Sequence, residues 1–198
     1  MLLRLLFAII IFFTIPFLST GISQAEDLEK VRMQLRWHHQ YQFAGYYAAK
    51  HKGYYSEAGF DVELIAGGPD IQPVPEVLAG RADFAEGNSE VLINRLNGEP
   101  LVALAAIFQH SPSMLLTMKS SNITRAEQLK NKHIMLAGTD DDADLIAMFR
   151  AAGLKENQIN INKSSYQLGD LISGKTSAFN SYSTNEPFFI EEKGLKYN

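Results

Sequence analysis

Short apolar segments alternate with polar or glycine-containing breaks along most of the chain. Segments with the pattern of a strand are followed by segments of about ten residues with the pattern of a helix. Such alternation predicts an α/β protein built on a parallel sheet. The predicted strands lie at residues 31–35, 61–66, 83–85, 101–108, 113–118, 133–136, 159–161 and 178–181, and the predicted helices at 43–52, 75–79, 89–97, 141–152, 167–173 and 186–193.

Residues 101–108 read LVALAAIF, an almost wholly apolar segment that predicts a strand buried on both faces. Three polar residues and a proline follow at 109–112, and this break predicts a crossover between two lobes. We therefore expect lobe 1 at residues 26–110 and lobe 2 at 111–198. The second lobe begins a sheet without returning to the first, which predicts that lobe 2 is incomplete.

The first 25 residues have the composition of a secretory signal peptide. One positive charge, Arg4, precedes an apolar run, and Ser23-Gln24-Ala25 supplies the small residues of a cleavage site. The run is shorter than the roughly 20 residues that a membrane span needs, although an uncleaved anchor stays an alternative. Because the chain has no cysteine, it has no lipobox for acylation, and we expect an exported, periplasmic protein.

Charge and motif content argue against several classes of protein. The chain has a net charge of −4 and no basic stripe, which argues against nucleic-acid binding. It contains no G-x-S-x-G, Walker or G-x-G-x-x-G motif and no cysteine nucleophile. Catalysis therefore has no support in the sequence.

Polar and aromatic residues gather at the carboxyl ends of the predicted strands, where open α/β sheets bind their ligands. RWHHQYQF at 36–43 follows the first strand, EGNSE at 86–90 the third, QHS at 109–111 the fourth, and YSTNE at 182–186 the last. These four segments are the candidate walls of a ligand site.

Some of these residues also have interpretations without a ligand. Trp37 can fill a core, and His38-His39 suggests a metal site although no partner lies at ligand spacing. Asp140, Asp141 and Asp142 are expected to cap the start of a helix, where their charge would repel a phosphate. Phe43, Tyr46 and Tyr47 are expected to begin the core.

Two long blocks resemble a known family. LRWHHQYQFAGYYAAKHKGYYSEAGFDVELIAGG at 35–68 and VLAGRADFAEGNSEVLINRLNGEPLVALAAIFQHSP at 77–112 resemble the periplasmic substrate-binding proteins of the NMT1/THI5-like group. A looser resemblance continues through LKNKHIMLAG and YSTNEPFFIEEKG. It implies a type II periplasmic-binding fold, in which two Rossmann-like α/β lobes close on a ligand in the cleft between them.

The best-known members of this family deliver thiamine pyrimidine precursors to ABC importers. The resemblance therefore implies an aminopyrimidine ligand and a permease partner, with no cofactor or metal. Fungal relatives that synthesise the pyrimidine have a lysine and a histidine where this chain has Glu86 and Glu90, and they also use cysteines that are absent here. The resemblance thus implies binding rather than catalysis, so the chain is predicted not to be an enzyme.

The chemistry of an aminopyrimidine assigns roles to the strand-end residues. Trp37 is expected to stack on the ring, and Glu86 and Glu186 to accept hydrogen bonds from amino groups. The full predicted ligand-binding set is Trp37, His39, Gln42, Glu86, Asn88, Gln109, Tyr182, Asn185 and Glu186.

A second function stays open at this point. The same domain occurs as the extracellular input of membrane-bound sensors such as histidine kinases and diguanylate cyclases. In such a protein, closure on a ligand would produce a signal across the membrane instead of import.

Overall fold

A computed structural model describes residues 27–138 and 140–198 of the chain. The predicted signal peptide at 1–25 lies outside the described residues. Within the described part, every helix is too short or too polar to cross a bilayer.

Lobe 1 is built on a small parallel sheet. Its strands are β1 (Glu29–Gln34), β2 (Phe60–Ile65) and β3 (Phe84–Ala85), in the order β2-β1-β3. Met33 of β1 lies opposite Leu64 on one side and Phe84 on the other. The helices of this lobe are α1 (Ala44–His51), α2 (Tyr54–Glu57), α3 (Pro73–Leu78) and α4 (Glu90–Leu96).

Lobe 2 is built on a mixed sheet of four strands. They are β4 (Ser113–Leu116), β5 (His133–Leu136), β6 (Asn160–Lys163) and β7 (Ala178–Tyr182), in the order β4-β7-β5-β6. The helices are α5 (Ala143–Ala151), α6 (Leu168–Ile172) and α7 (Glu186–Glu192). β5 is parallel to β6 and β7, but β4 is antiparallel to β7. The prediction of a parallel sheet is therefore wrong for β4, the strand by which the chain enters this lobe.

The core of lobe 2 has two apolar layers, one on each face of the sheet. Ile134, Leu136 and Phe149 belong to one layer, and Phe179 and Ile190 belong to the other. Burial on both faces explains why the strands of this lobe are apolar and recognisable from the sequence.

The apolar segment 101–108 is not a strand, and the prediction of a doubly buried strand there is wrong. Val102, Leu104 and Ile107 are 79%, 71% and 58% exposed. The segment has no ladder partner in the described residues. An apolar sequence forms a buried strand only where neighbouring strands and a covering layer are available, and lobe 1 provides neither at this position.

The expectations for Phe43, which precedes α1, and for the tyrosines of α1 are met in part. Phe43 is fully buried, as expected for a core residue. Tyr47 is exposed, and its hydroxyl is hydrogen-bonded to the Nδ1 of His39 on the solvent side. The prediction that Tyr47 begins the core is therefore wrong.

Candidate ligand-binding site

A cavity of about 360 Å³ lies between the two lobes. Loops at the carboxyl ends of β1 and β2 form its lobe 1 wall, and the loops after β5, β6 and β7 form its lobe 2 wall. The cavity therefore has the position that parallel α/β sheets predict for a ligand. Its volume is in the range of small-molecule sites.

The loop after β1 is held in place by the strand beside it. The side-chain amide of Gln34 donates to the carbonyl oxygens of Leu35 and Ala66, at 2.9 and 3.1 Å. The N–H of Gly67 donates to the carbonyl oxygen of Trp37 at 2.9 Å. A Cβ atom on Gly67 would lie 2.4 Å from the oxygen of Leu35, so only glycine allows the two loops to approach this closely. These contacts fix the direction in which Arg36 and Trp37 leave the sheet.

Arg36 forms a largely buried ion pair beside the cavity. Its Nη1 lies 2.8 Å from Oε1 of Glu90, and the two side chains are only 15% and 5% exposed. Burial opposes the charge of Arg36, but Tyr182, Glu90, Asp141 and Asp142 outweigh it and raise the pKa of the guanidinium. Burial also raises the pKa of Glu90, while Arg36 opposes that shift. Because the charged atoms are in direct contact, we treat the pair as ionised.

The two lobes touch directly next to this ion pair. Asn88 Nδ2 and Ser89 Oγ of lobe 1 both donate to the carbonyl oxygen of Asp141 in lobe 2, at 3.1 and 3.2 Å. Arg36 Nη2 lies 4.0 Å from the carboxylate of Asp141. The loops after β3 and β5 are therefore joined by hydrogen bonds that exist only when the cleft is closed at this end.

Two aromatic residues meet across the cavity. The rings of Trp37 in lobe 1 and Tyr166 in lobe 2 have centroids 5.0 Å apart and planes inclined at 48°. Tyr166 has a φ of +55°, a conformation that is rare for bulky residues and is often found at functional sites. The aromatic wall thus includes residues from both lobes.

The carboxylates of the cavity wall already accept hydrogen bonds from the protein. Asp142 Oδ2 accepts from the N–H groups of Ala137 and Gly138 at 2.5 and 3.2 Å. Its side chain forms no cap hydrogen bond with α5, so the prediction that this carboxylate caps the helix is wrong. Burial raises the pKa of Asp142 to about 6, although the hydrogen bonds from Gly138 and Ala137 lower it.

Glu186 is anchored at the start of α7 by three hydrogen bonds. Its Oε2 accepts from Ser181 Oγ and the Tyr182 N–H, at 3.0 and 2.8 Å. Its Oε1 accepts from Asn185 Nδ2 at 2.8 Å. The carboxylate is therefore held rigidly at the cavity wall, and Oε1 retains acceptor capacity for a ligand.

Glu86 lies just behind the cavity wall. Its Oε2 is buried without a hydrogen-bond partner in the described part of the chain. Burial raises the pKa of Glu86 to about 7, and the nearby Arg36 opposes the shift. A carboxyl group with this pKa changes its charge near neutral pH.

The nine residues predicted from the sequence divide into three groups. Trp37, Gln42, Tyr182, Asn185 and Glu186 line the cavity together. Glu86 lies near Arg36, and Asn88 forms an inter-lobe hydrogen bond, but neither lines the cavity. His39 and Gln109 are exposed and lie outside the cavity wall. The ring of His39 is hydrogen-bonded to the hydroxyl of Tyr47, and Gln109 follows the exposed segment 101–108.

Sequence reasoning did not select Arg36, Asp141, Tyr166 and Asn180, all of which line the cavity. The first three follow the strands β1, β5 and β6, so the rule of strand ends already points to them. Asn180 lies inside β7 and carries no such signal. The described residues contain no group of three or more histidine or acidic side chains that could hold a metal ion.

The sequence pattern of the family described as NMT1/THI5 like matches residues 40–198. A curated protein named putative thiamine biosynthesis protein, from Haemophilus influenzae, is 22% identical and the match covers 85% of this chain and 56% of its own length. The riboflavin-binding protein RibY of Chloroflexus aurantiacus is 23% identical, with coverage of 92% and 54%. The formylaminopyrimidine-binding protein of Halalkalibacterium halodurans is 22% identical, with coverage of 79% and 48%. The chain thus spans about half the length of the curated relatives it matches.

The fold is similar to that of solved solute-binding proteins. The alkanesulfonate-binding protein SsuA of Xanthomonas axonopodis pv. citri, bound to MOPS, superposes with a TM-score of 0.65 at 15% identity. The match covers 87% of this chain and 60% of that protein. The prediction of a type II periplasmic-binding fold with two α/β lobes around a cleft is therefore confirmed.

Proposed function

Because the chain belongs to the NMT1/THI5-like family, we propose that it is a solute-binding protein that captures a thiamine-related aminopyrimidine in the cleft between its lobes. The observation that carries this proposal is the cavity itself, which combines an aromatic wall with several carboxylates at the ends of the strands. The name of one curated relative contains formylaminopyrimidine, and the name of another contains riboflavin. Both are planar nitrogen heterocycles.

The aromatic wall supports a flat ligand. Trp37 lines the cavity, and stacking of a heterocycle on an aromatic side chain contributes roughly 1–3 kcal/mol per ring in nucleic-acid sites. Tyr166 and Tyr182 add ring surface from lobe 2. We propose Trp37 as the stacking platform, with Gln42 and Asn185 as polar contacts around the ring edge.

The charge of the wall supports a ligand that donates hydrogen bonds. Arg36 is the only lysine or arginine lining the cavity in the described part of the chain, and it is already paired with Glu90. Asp141, Asp142 and Glu186 add negative charge. A sulfonate or phosphate would meet this excess of carboxylates, whereas an amino group would find acceptors. We propose Glu186 as the hydrogen-bond acceptor in the cavity wall, and Glu86 as a second acceptor that lies behind the wall.

The partner and location in this proposal follow from the family. A solute-binding protein with this ligand would act outside the cytoplasm and deliver it to an ABC permease, with no catalytic step of its own. The sensor interpretation stays a prediction, because no contact of the described residues favours signalling over import.

Trp37 makes the test direct, because it is the only tryptophan of the chain and lies in the cavity wall. Titration with hydroxymethyl- and formylamino-aminopyrimidines should change its fluorescence, and saturating ligand should raise the melting temperature by several degrees. Thiamine, riboflavin, taurine and an alkanesulfonate complete the panel. Trp37→Leu should abolish the thermal shift, whereas Tyr54→Leu at an exposed position should retain it.

The panel also separates the alternatives within this proposal. A response to riboflavin alone would retain the binding function and change the ligand. A response to the sulfonates but not to the heterocycles would contradict the charge argument. A folded protein that responds to none of the compounds would refute the aminopyrimidine proposal.

A further inference from the structure

Asn180 has an unsatisfied side chain at the cavity wall. It lies in β7 opposite Leu115 of β4, between Phe179 and Ser181. Its carboxamide oxygen is buried and has no hydrogen-bond partner in the described part of the chain. Asn180 is one of the residues that line the cavity, although its oxygen itself is closed off from solvent. Because the terminal torsion of an asparagine side chain is broad, a turn of the carboxamide would present this unpaired oxygen to a ligand in the cavity.

Such a group calls for a physical reason, because buried polar atoms are nearly always hydrogen-bonded and an unpaired one lowers stability. A leucine, which has the same branching with two methyl groups in place of the amide oxygen and nitrogen, would remove the unpaired acceptor at this position. Only one other buried side-chain atom of the described residues, Glu86 Oε2, lacks a partner in the same way. Of the two residues, only Asn180 lines the cavity, whereas Glu86 lies near the cavity residue Arg36. A ligand that hydrogen-bonds to Asn180 would supply the reason for its unpaired oxygen.

The carboxamide group defines which ligand edge it can recognise. It offers one acceptor and one N–H donor side by side, so it pairs in two hydrogen bonds with an exocyclic amine next to a ring nitrogen. Asparagine pairs in this way with the amino group and ring nitrogen of adenine. Glu186 cannot provide the same pattern, because a carboxylate only accepts and this one already has three donors.

We infer that Asn180 is the specificity-determining residue of the cleft, and that its carboxamide pairs with the amine and adjacent ring nitrogen of the bound heterocycle. This inference rests on the proposed function, since it names the ligand edge that the same cavity reads. It predicts that affinity depends on the amino group through Asn180 in particular, and not only on stacking with Trp37.

The test compares an aminopyrimidine with the same pyrimidine carrying hydrogen in place of the amine. The wild-type protein should bind the amine-bearing compound about ten to a hundred times more tightly. Asn180→Leu should reduce this preference to about threefold or less, mainly by weakening the amine-bearing compound. Asn180→Ala, which removes the carboxamide without adding bulk, should give the same loss of preference. Asn160→Leu, at an exposed position of β6, should retain the wild-type preference.

Each other result has a distinct meaning. If wild type binds neither compound, the proposed function and this inference fail together. If wild type prefers the amine and both Asn180 variants keep that preference, this inference alone is overturned. An equal loss of affinity for both compounds in the two variants also overturns it, because that result reports a damaged cavity. The melting temperature of unliganded Asn180→Leu should be at least that of wild type, which confirms that the variant folds.

Discussion

Glu86 shows how a single residue can link the ligand site to pH. The N–H of Glu86 donates to the carbonyl oxygen of Gln34 at 2.9 Å, so the residue continues the pairing of β3 with β1 and its backbone is fixed. Its side chain then lies among Arg36, Tyr46 and Tyr182. Burial raises its pKa from the ordinary 4.5 to about 7. Between about pH 4.5 and 7, the folded protein therefore holds a proton on Glu86 that the unfolded chain has already lost.

The sign of the pH effect follows from this difference in bound protons. Between about pH 4.5 and 7 the folded state binds more protons at Glu86, so its contribution to stability is complete below pH 4.5 and is lost as the pH rises to 7. Glu86→Gln should therefore reduce the fall in stability between pH 5 and 8 by roughly 1–2 kcal/mol, after allowance for partial exposure. Urea unfolding at several pH values measures this.

Two comparisons make that measurement specific. Glu57→Gln makes the same change of side chain at an exposed position of α2 and serves as the control. Asp142, whose pKa is raised to about 6, also makes the free energy of unfolding fall as the pH rises, but at lower pH. This second contribution remains in Glu86→Gln. If the stability of Glu86→Gln has the same pH profile as that of wild type, the pKa of Glu86 in the folded protein is close to its ordinary value.

Individual site residues were predictable where one local rule places them. Trp37 and Glu186 both follow a strand directly, and the rule of strand ends was sufficient to nominate them. His39 follows the same strand as Trp37, but its position depends on a hydrogen bond with Tyr47 from the next helix. Asn180 was missed for a related reason, because the exposure of a mid-strand side chain to a cleft depends on how the two lobes are arranged.

At the scale of elements, the loops after β3 and β5 form one direct connection between the lobes. Asn88 and Ser89 share one acceptor, the carbonyl oxygen of Asp141, and Arg36 lies near its carboxylate. All of these contacts are between groups of the protein itself. The same contacts therefore stabilise the closed arrangement of the two loops and leave the interior of each lobe unaffected.

The double variant Asn88→Ala/Ser89→Ala should weaken ligand binding by about fivefold to thirtyfold, because two inter-lobe hydrogen bonds of ordinary strength are lost. Small-angle scattering of the unliganded protein should show a larger radius of gyration, and the melting temperature should change little. Asn97→Ala, at the exposed end of α4, serves as the control. Unchanged affinity together with an unchanged radius would show that these bonds do not control closure.

Most element boundaries were predicted to within two or three residues because their patterns are locally complete. The apolar run at His133–Leu136 and the glycine that follows α5 are examples. The short helix α2 was not predicted, and two further errors concern the order and neighbours of strands. The direction of β4 and the exposure of residues 101–108 depend on which segment lies beside them, and hydrophobic periodicity contains no information about that.

At the scale of the whole molecule, the two lobes differ in how well their apolar residues are covered. The sheet of lobe 2 has apolar layers on both faces. Lobe 1 exposes Phe84 on its edge strand, Leu92 and Leu96 on α4, and Val102 and Leu104 beyond it. We propose, as the sequence suggested, that a polypeptide returning from lobe 2 would cover this surface. The greater length of the curated relatives is consistent with that proposal.

The exposed surface has a consequence for the chain as it stands. A segment with exposed apolar side chains that are not covered by the rest of the protein is a site for association with another copy. We expect the 198-residue chain to associate increasingly as its concentration rises. Val102→Lys/Leu104→Lys should reduce this association strongly, and should change the melting temperature by no more than about 2 °C, because neither side chain is buried. Sedimentation velocity and thermal unfolding measure the two effects.

The control must separate loss of apolar surface from gain of charge. Ser120→Lys/Asn157→Lys adds the same charge at exposed positions of lobe 2, and it should leave association close to the wild-type level. If both double variants reduce association equally, net charge and not the apolar segment is responsible. If wild type sediments as a monomer over the whole concentration range, the segment 101–108 is not a site of association, although its side chains are exposed. If the melting temperature of Val102→Lys/Leu104→Lys falls by many degrees, the two side chains are buried in solution, as the sequence pattern originally predicted.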